Sequence, residues 1–345
     1  GTAEQQMART TGQGPVRRGR LEEIALPILA LVCFAYAVYI ALRYAGQVPL
    51  DYHKFRQTQT ALTAYWLGKN GFSLAYETPV AGPPWSIPLE FPLYQYLVAL
   101  ASRISGISLD ACGRLMSFLF LVLCLAPARA ITRNLELSPN TFPIFTALLM
   151  SSPLYLYWGR AFMIETAALF FSIAGIKYFV DLLQQRRVGR SAALFVLFIS
   201  LGILQKATTG LPVLAVLSFV YLGVLIRDWR APGNPFPVRN TGLALLLFGI
   251  PLLIGSAWTL YTDQVKLHNT LGTTLTSGAL TTWNWGTLDQ RVSSALYEEV
   301  IWRRMLLRNL AGVLGVAALA AALAVRTAQP TKRVSWHLSC SDCCR

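Results

Sequence analysis

Several residues of this chain sit where charge is costly, at the ends of long apolar runs, and charge kept there needs a reason. Asp51 opens a polar segment, Asp51-Tyr52-His53-Lys54-Phe55-Arg56-Gln57, shortly after the first apolar run ends. A carboxylate there can take a proton from an incoming hydroxyl; the plain alternative is a solvated loop residue. Glu90, in Leu89-Glu90-Phe91-Pro92-Leu93-Tyr94, stands just ahead of a short apolar stretch. It either contacts a substrate or metal, or favours a helix start through the helix dipole. Arg160 and Glu165, in Arg160-Ala161-Phe162-Met163-Ile164-Glu165, open a strongly apolar helix. An Arg and a Glu about one turn apart at a membrane edge mark a site, with helix capping as the alternative. Lys206 lies between two apolar runs, where it can hold a phosphate as a point charge or simply snorkel. Trp283 and Trp285 flank Asn284 in a later polar stretch. Their faces suit sugar rings, although Trp is also common at membrane interfaces. His53, His268 and His337 are too scattered to suggest a metal site.

The elements that must position these residues are membrane helices. Of the 345 residues, 54% are hydrophobic and only 13% charged, with a mean hydropathy of +0.47. A soluble domain carries about 25% charged residues. Several apolar runs reach the roughly 18 residues that read as a span. The net charge of +14 belongs to Lys and Arg in cytoplasmic loops, and no nucleic-acid-binding motif competes with that reading. Cys33, Cys112 and Cys124 fall in or beside apolar segments as small hydrophobes, and Cys340, Cys343 and Cys344 crowd the tail without finger spacing.

About eight spans are predicted. The first, from Ile24, follows Arg17, Arg18 and Arg20 and runs outward. Phe91–Leu100 is short and carries Pro92, which suits an interfacial or re-entrant helix. Counting it as interfacial puts the Arg clusters at 186–190 and 227–239 inside. The remaining spans begin near Leu115, Phe142, Ala161, Ala192, Leu211, Leu243 and Leu310. The fold class is therefore all-α: a polytopic transmembrane bundle with interfacial helices in its first outer loop. Residues 1–23 form a cytoplasmic flank and 24–326 the membrane domain, with outer loops at about 43–113 and 261–307; residues 327–345 read as a non-native or truncated tail.

The early acid in a long first outer loop, Arg56-Gln57 with Thr60-Ala61, the segment Glu90-Phe91-Pro92-Leu93-Tyr94-Gln95 and the Arg160…Glu165 junction together resemble superfamily C glycosyltransferases. The protein mannosyltransferase and aminoarabinose transferase branch is the one they are similar to, over roughly residues 20–215. The resemblance implies transfer of a sugar from a polyprenyl-phosphate carrier to an acceptor hydroxyl on a protein, lipid or glycan, with inversion, at the periplasmic or luminal face. It makes Asp51 the base and Glu165 a second catalytic acid that orients the acceptor. It assigns substrate binding to Arg56, Glu90, Tyr94, Arg160, Lys206, Trp283 and Trp285, with Lys206 at the donor phosphate. A divalent cation, Mg or Mn, is the one cofactor it leaves room for, held by Asp51 and Glu165. Partners are then the lipid-linked sugar, its acceptor and membrane lipids, with no nucleic acid, and a bacterial inner membrane is favoured over the endoplasmic reticulum. Family members usually have more helices, so a truncated, non-catalytic scaffold is one alternative. A transporter is another, and it should show inverted repeats and charged, broken helices at mid-membrane; the sequence shows neither.

Overall fold

The computed structural model describes residues 14–80, 82–230, 238–310 and 312–328. It is all-α, and no strand forms among the described residues. The chain divides into two compact units, one built from residues up to Thr78 with Pro88–Trp258, the other from Pro79–Ile87 with residues from Thr259 onward.

The first unit holds α1 (Gly14–Tyr44), α2 (Lys54–Asn70), α3 (Leu93–Ser105), α4 (Leu109–Leu123), α5 (Leu125–Asn134), α6 (Thr141–Ser151), α7 (Pro153–Trp158), α8 (Glu165–Leu183), α9 (Val188–Gln205), α10 (Ala207–Trp229) and the first part of α11 (Val238–Lys266). Local chemistry sets several of the boundaries. Ser108 caps α4 by accepting a bond from the Ala111 N–H, with Asp110 in the first turn, where a carboxylate meets the positive end of the dipole. Gly71 and Gly106 end α2 and α3 at positive φ, which costs glycine no Cβ clash. Helix α4 continues into α5 as one apolar span, Leu109–Asn134.

Six described helices are long and apolar enough to cross a membrane, or seven if a bent pair counts as one span, against the expected number of about eight. The run expected as a span from Phe142 to Tyr157 is broken in two. Ser152 precedes Pro153 and takes an extended conformation (φ −62°, ψ 123°), because the proline ring clashes with a helical residue before it. The last apolar run joins Leu296–Leu307 to Gly312–Ala321 through a bend of 75°. Helices α2 and α3 are not candidate spans, and α3 has only 13 residues. The crowded Cys340, Cys343 and Cys344 lie outside the described residues.

Two apolar clusters and a polar knot hold the first unit together. Phe179, Phe195, Ile199, Tyr221 and Leu247 pack between α8, α9, α10 and α11. Tyr94, Phe120, Phe162 and Phe171 join α3, α4 and α8. At the far end of α5, Asn134 donates to Asp181 (2.7 Å), accepts from Arg186 (3.1 Å) and takes a bond from Gln184 at its carbonyl (2.5 Å). Lys177 pairs with Asp181 at 2.7 Å. This knot ties the end of α5 to the end of α8, so the starts of α4 and α8 meet at the opposite end of the bundle.

The second unit is organised around Asn269. Its side chain donates to the Gly82 carbonyl and accepts from the Leu271 and Gly272 N–H groups, each at 2.9 Å. Asp263 similarly takes the N–H and hydroxyl of Ser277. Short helices α12 (Thr281–Trp285) and α13 (Leu288–Val292), a π-helical stretch (Leu296–Leu307) and α14 (Gly312–Ala328) complete it.

Helices α9 and α10 are joined by a single residue, Lys206, in extended conformation. They cross so closely that a Cβ on Gly210 would stand 2.6 Å from the Ile203 nitrogen. Backbone cannot yield as a flexible side chain does. Gly210→Ala is therefore expected to lower stability by about 1–3 kcal/mol in a thermal melt, whereas Gly242→Ala, with nothing within 4 Å, leaves the melt unchanged.

Candidate active site

Arg114 lies near the start of α4, one turn inside a strongly apolar helix, and its side chain is wholly buried. A buried guanidinium has to find acceptors for its donors. Arg114 donates to the Gln47 carbonyl (2.9 Å), the Val48 carbonyl (3.0 Å), the Arg160 carbonyl (2.7 Å) and Asp51 Oδ1 (3.0 Å). One side chain thus fixes the exit of α1, the first loop and the turn between α7 and α8.

Asp51 is gathered in by the same network. Gln57, from α2, donates to Asp51 Oδ1 at 2.6 Å and accepts from the Phe162 N–H at 2.9 Å. Arg160 donates to Asp51 Oδ2 at 3.0 Å and lays its guanidinium over the Tyr44 ring, 4.5 Å from the centroid. Burial works to raise the Asp51 pKa. The hydrogen bonds from Arg114 and Gln57 and the charges of Arg114 and Arg160 outweigh it and hold the carboxyl below its ordinary value. The side chain stays about a quarter exposed, so the carboxylate is ionised, immobilised and reachable.

Beside it stand two further ion pairs. Glu165, the first residue of α8, accepts from Lys206, the linker between α9 and α10. Its second oxygen, Oε2, is buried without a hydrogen-bond partner. Arg56, on α2, pairs with Glu90 and feels the charge of Glu165. Gln205 donates to the Phe91 carbonyl at 2.8 Å and Phe91 donates its N–H to Leu204, which fastens the segment before α3 to the end of α9. An aromatic group completes the cluster. His53 stacks on Trp158 at 5.3 Å and 21°, Tyr52 and Tyr157 pack edge-on against each other, and Lys206 Nζ lies 5.8 Å from the Trp158 ring centroid.

Asp51, Arg56, Glu90, Arg160, Glu165 and Lys206 therefore come together at one end of the first unit. The pairing differs from the spacing-based reading. Arg160 and Glu165 do not form a pair of their own; one serves Asp51 and the other Lys206. Glu90 binds Arg56, and α3 starts only at Leu93, so a role for Glu90 in the helix dipole falls away. Tyr94 is corrected to a core residue. It is fully buried, and its hydroxyl contacts the Gly113 carbonyl and the Ser117 hydroxyl, each at 2.7 Å. Trp283 and Trp285 stand on the second unit, 85% and 68% exposed. The rings at the charged cluster of the first unit include His53, Tyr157 and Trp158; spacing gave Tyr157, Trp158 and Arg114 no role and weighed His53 only as a metal ligand. For Arg114 a signal existed: a cation within the apolar run Leu109–Leu123.

Asp51 and Glu165 do not make a ready cation site. Each is already neutralised by basic side chains, and among the described residues no three His, Cys, Asp or Glu side chains converge to hold a metal. The donor set does not fit a resident divalent ion.

A bundle whose helices are this long and apolar is the build of an integral, multi-pass membrane protein, and its paired acids and bases gather at one end of the first unit. A family model described as dolichyl-phosphate-mannose-protein mannosyltransferase matches residues 95–272, just over half of the chain, and the chain belongs to that family. It is accordingly a membrane glycosyltransferase of a family that uses a polyprenyl-phosphate-linked sugar as donor. The matched stretch contains Arg114, Arg160, Glu165 and Lys206, while Asp51, Arg56 and Glu90 precede it. No curated protein and no solved structure matches the chain.

Arg114 tests the geometry. Arg114→Leu removes the donor to three carbonyls and to Asp51 at once, and each buried acceptor left unsatisfied costs about 1–3 kcal/mol. Asp51→Asn keeps an oxygen acceptor and all three carbonyl bonds, so Arg114→Leu should lower the melting temperature more. The Asp51 pKa is depressed on folding, so its stabilising contribution is complete above about pH 4 and is lost as pH falls through the folded-state value. A wild-type melt followed from pH 6 down to pH 3 should show this loss, and Asp51→Asn should remove that part of the pH dependence.

Proposed function

We propose that this protein transfers a sugar from a polyprenyl phosphate to an acceptor hydroxyl by a single inverting displacement, with Asp51 as the base. The observation that carries the reading is Asp51 itself: an accessible carboxylate kept ionised and aimed by Arg114, Gln57 and Arg160, beside a separate acid–lysine pair. In the reaction the acceptor O–H bond breaks and its proton goes to Asp51. The acceptor oxygen forms a bond to the anomeric carbon from the face opposite the phosphate. The carbon–oxygen bond to phosphate breaks, and polyprenyl phosphate leaves with the electron pair.

A base of depressed pKa is weak toward a resting hydroxyl. It suits a transition state in which the sugar–phosphate bond is already stretched, because the attacking hydroxyl then becomes more acidic as its bond to carbon forms. Lys206 supplies the cation for the leaving phosphate, and the incoming phosphate competes with Glu165 for it. Glu165, released in part from Lys206, turns its carboxylate to the acceptor or to a sugar hydroxyl. Arg56 with Glu90 and the rings of His53, Tyr157 and Trp158 border the space for the sugar. Arg clusters assigned to the inner loops by the positive-inside rule support a reading in which this end of the bundle faces away from the cytoplasm, and we place the protein in a bacterial inner membrane rather than the endoplasmic reticulum. A serine or threonine hydroxyl on a peptide is the acceptor that the family's name puts first, ahead of a lipid or glycan.

The test is transfer by membranes carrying the protein, supplied with a panel of polyprenyl-phosphate sugars and hydroxyl peptides. Asp51→Asn should lower kcat by at least about 100-fold with little change in donor KM. Equal transfer by that variant, at normal membrane insertion, would move the base to another residue. Lys206→Ala should chiefly raise donor KM. The acid limb of the wild-type rate should lie below about pH 4, and EDTA should leave the rate unchanged.

A further inference from the structure

At the other end of the first unit is a groove that the transfer chemistry does not use. It encloses about 710 Å³ and is lined by Pro27, Leu31 and Phe34 of α1, Arg129 and Arg133 of α5, and Phe142 of α6 among others. That volume is within the range of small-molecule sites. The groove lies far from Asp51. Arg114 and Arg129 stand on one continuous span, and a rise of 1.5 Å per residue separates them by about 22 Å, with Arg133 about 28 Å away. Helix α1 gives the same result, since its Tyr44 end packs on Arg160 while Pro27 and Leu31 lie well back along it.

The lining has two chemical halves. Pro27, Leu31, Phe34 and Phe142 make an apolar wall, and Leu31 is two-thirds exposed on the face of α1 that meets lipid. Arg129 and Arg133 are both exposed, and neither has a carboxylate within ion-pair distance among the described residues. Arg129 packs its guanidinium 5.8 Å from the Phe142 ring centroid. Glu136 also borders the groove and offsets one of the two positive charges. Unpaired guanidinium groups beside an apolar trough between membrane helices match a phosphate joined to hydrocarbon chains.

We infer that this groove binds one anionic diacyl phospholipid in the leaflet opposite the active site, with its phosphate held by Arg129 and Arg133 and its chains along Leu31, Phe34 and Phe142. The lipid would brace α1 against α5 and α6, which no polar knot like the one at Asn134 joins among the described residues.

The experiment is native mass spectrometry of the purified full chain, released from micelles containing equal dioleoyl-phosphatidylglycerol and dioleoyl-phosphatidylcholine. One phosphatidylglycerol should be retained at least about fivefold more often than phosphatidylcholine, the size expected for a basic residue near a lipid phosphate. The double variant Arg129→Gln, Arg133→Gln should abolish that preference, and Glu136→Gln should strengthen it. Leu31→Trp fills the trough and keeps both arginines, so it should reduce retention of either lipid even if the double variant folds poorly. Arg227→Gln, at another cluster, should change nothing. Equal retention of the two lipids by wild type, or an unchanged preference in the double variant, would overturn the proposal. Displacement of phosphatidylglycerol by undecaprenyl phosphate at equal concentration would overturn it too, by making the groove a site for the carrier lipid. The readout is independent of sugar transfer.

Discussion

A guanidinium buried in the apolar end of a helix bundle cannot be left without acceptors, and the arrangement of the reactive end follows from that requirement. Arg114 takes three carbonyls and one carboxylate oxygen. The carbonyls come from the segment after α1 and from Arg160, stretches that have no reason of their own to meet. The cost of an unsatisfied buried cation is several kcal/mol, which is enough to hold loops that regular secondary structure does not hold. Asp51 is captured as a consequence, and its charge state and direction are set together.

The other charged groups of the cluster are positioned by helix ends. Glu165 begins α8, where the dipole favours a carboxylate. Lys206 occupies the one-residue turn between α9 and α10, which the close approach at Gly210 permits. Because α8 and α9 are antiparallel neighbours, the start of one and the end of the other lie at the same level, and the acid and the lysine pair across 41 residues of sequence. The knot around Asn134 fixes the opposite end. The first unit thus has a polar cluster at one end, an apolar middle and a polar anchoring knot at the other, a layering suited to a lipid bilayer.

This layering also explains why the acids come as pairs. A lone carboxylate at the membrane edge would raise its pKa and neutralise. Each of Asp51, Glu90 and Glu165 has instead a basic partner drawn from a different element. The partners offset the charge of each acid, and for Asp51 the basic groups and hydrogen bonds hold its carboxyl below the ordinary value.

Much of the fold was legible in the residues. Apolar runs with few charges specify membrane helices because lipid leaves no other backbone solution, and the family resemblance was legible in short segments, of which the Arg160…Glu165 junction lies inside the matched stretch. The acids and Lys206 were legible as candidates because charge at the end of an apolar helix is costly wherever it occurs. Pairing was not legible. Arg160 and Glu165 are five residues apart in the chain, yet each is held by a partner from elsewhere. Tyr94 reads from sequence like a site residue and is buried in the core, while Trp158 and His53, which stand beside the charges of the first unit, were not legible as such. Sequence by itself determined that apolar helices dominate the fold and which side chains are costly at their ends. Only the tertiary structure decided which of them meet, because partner choice depends on contacts between distant segments that local spacing does not encode.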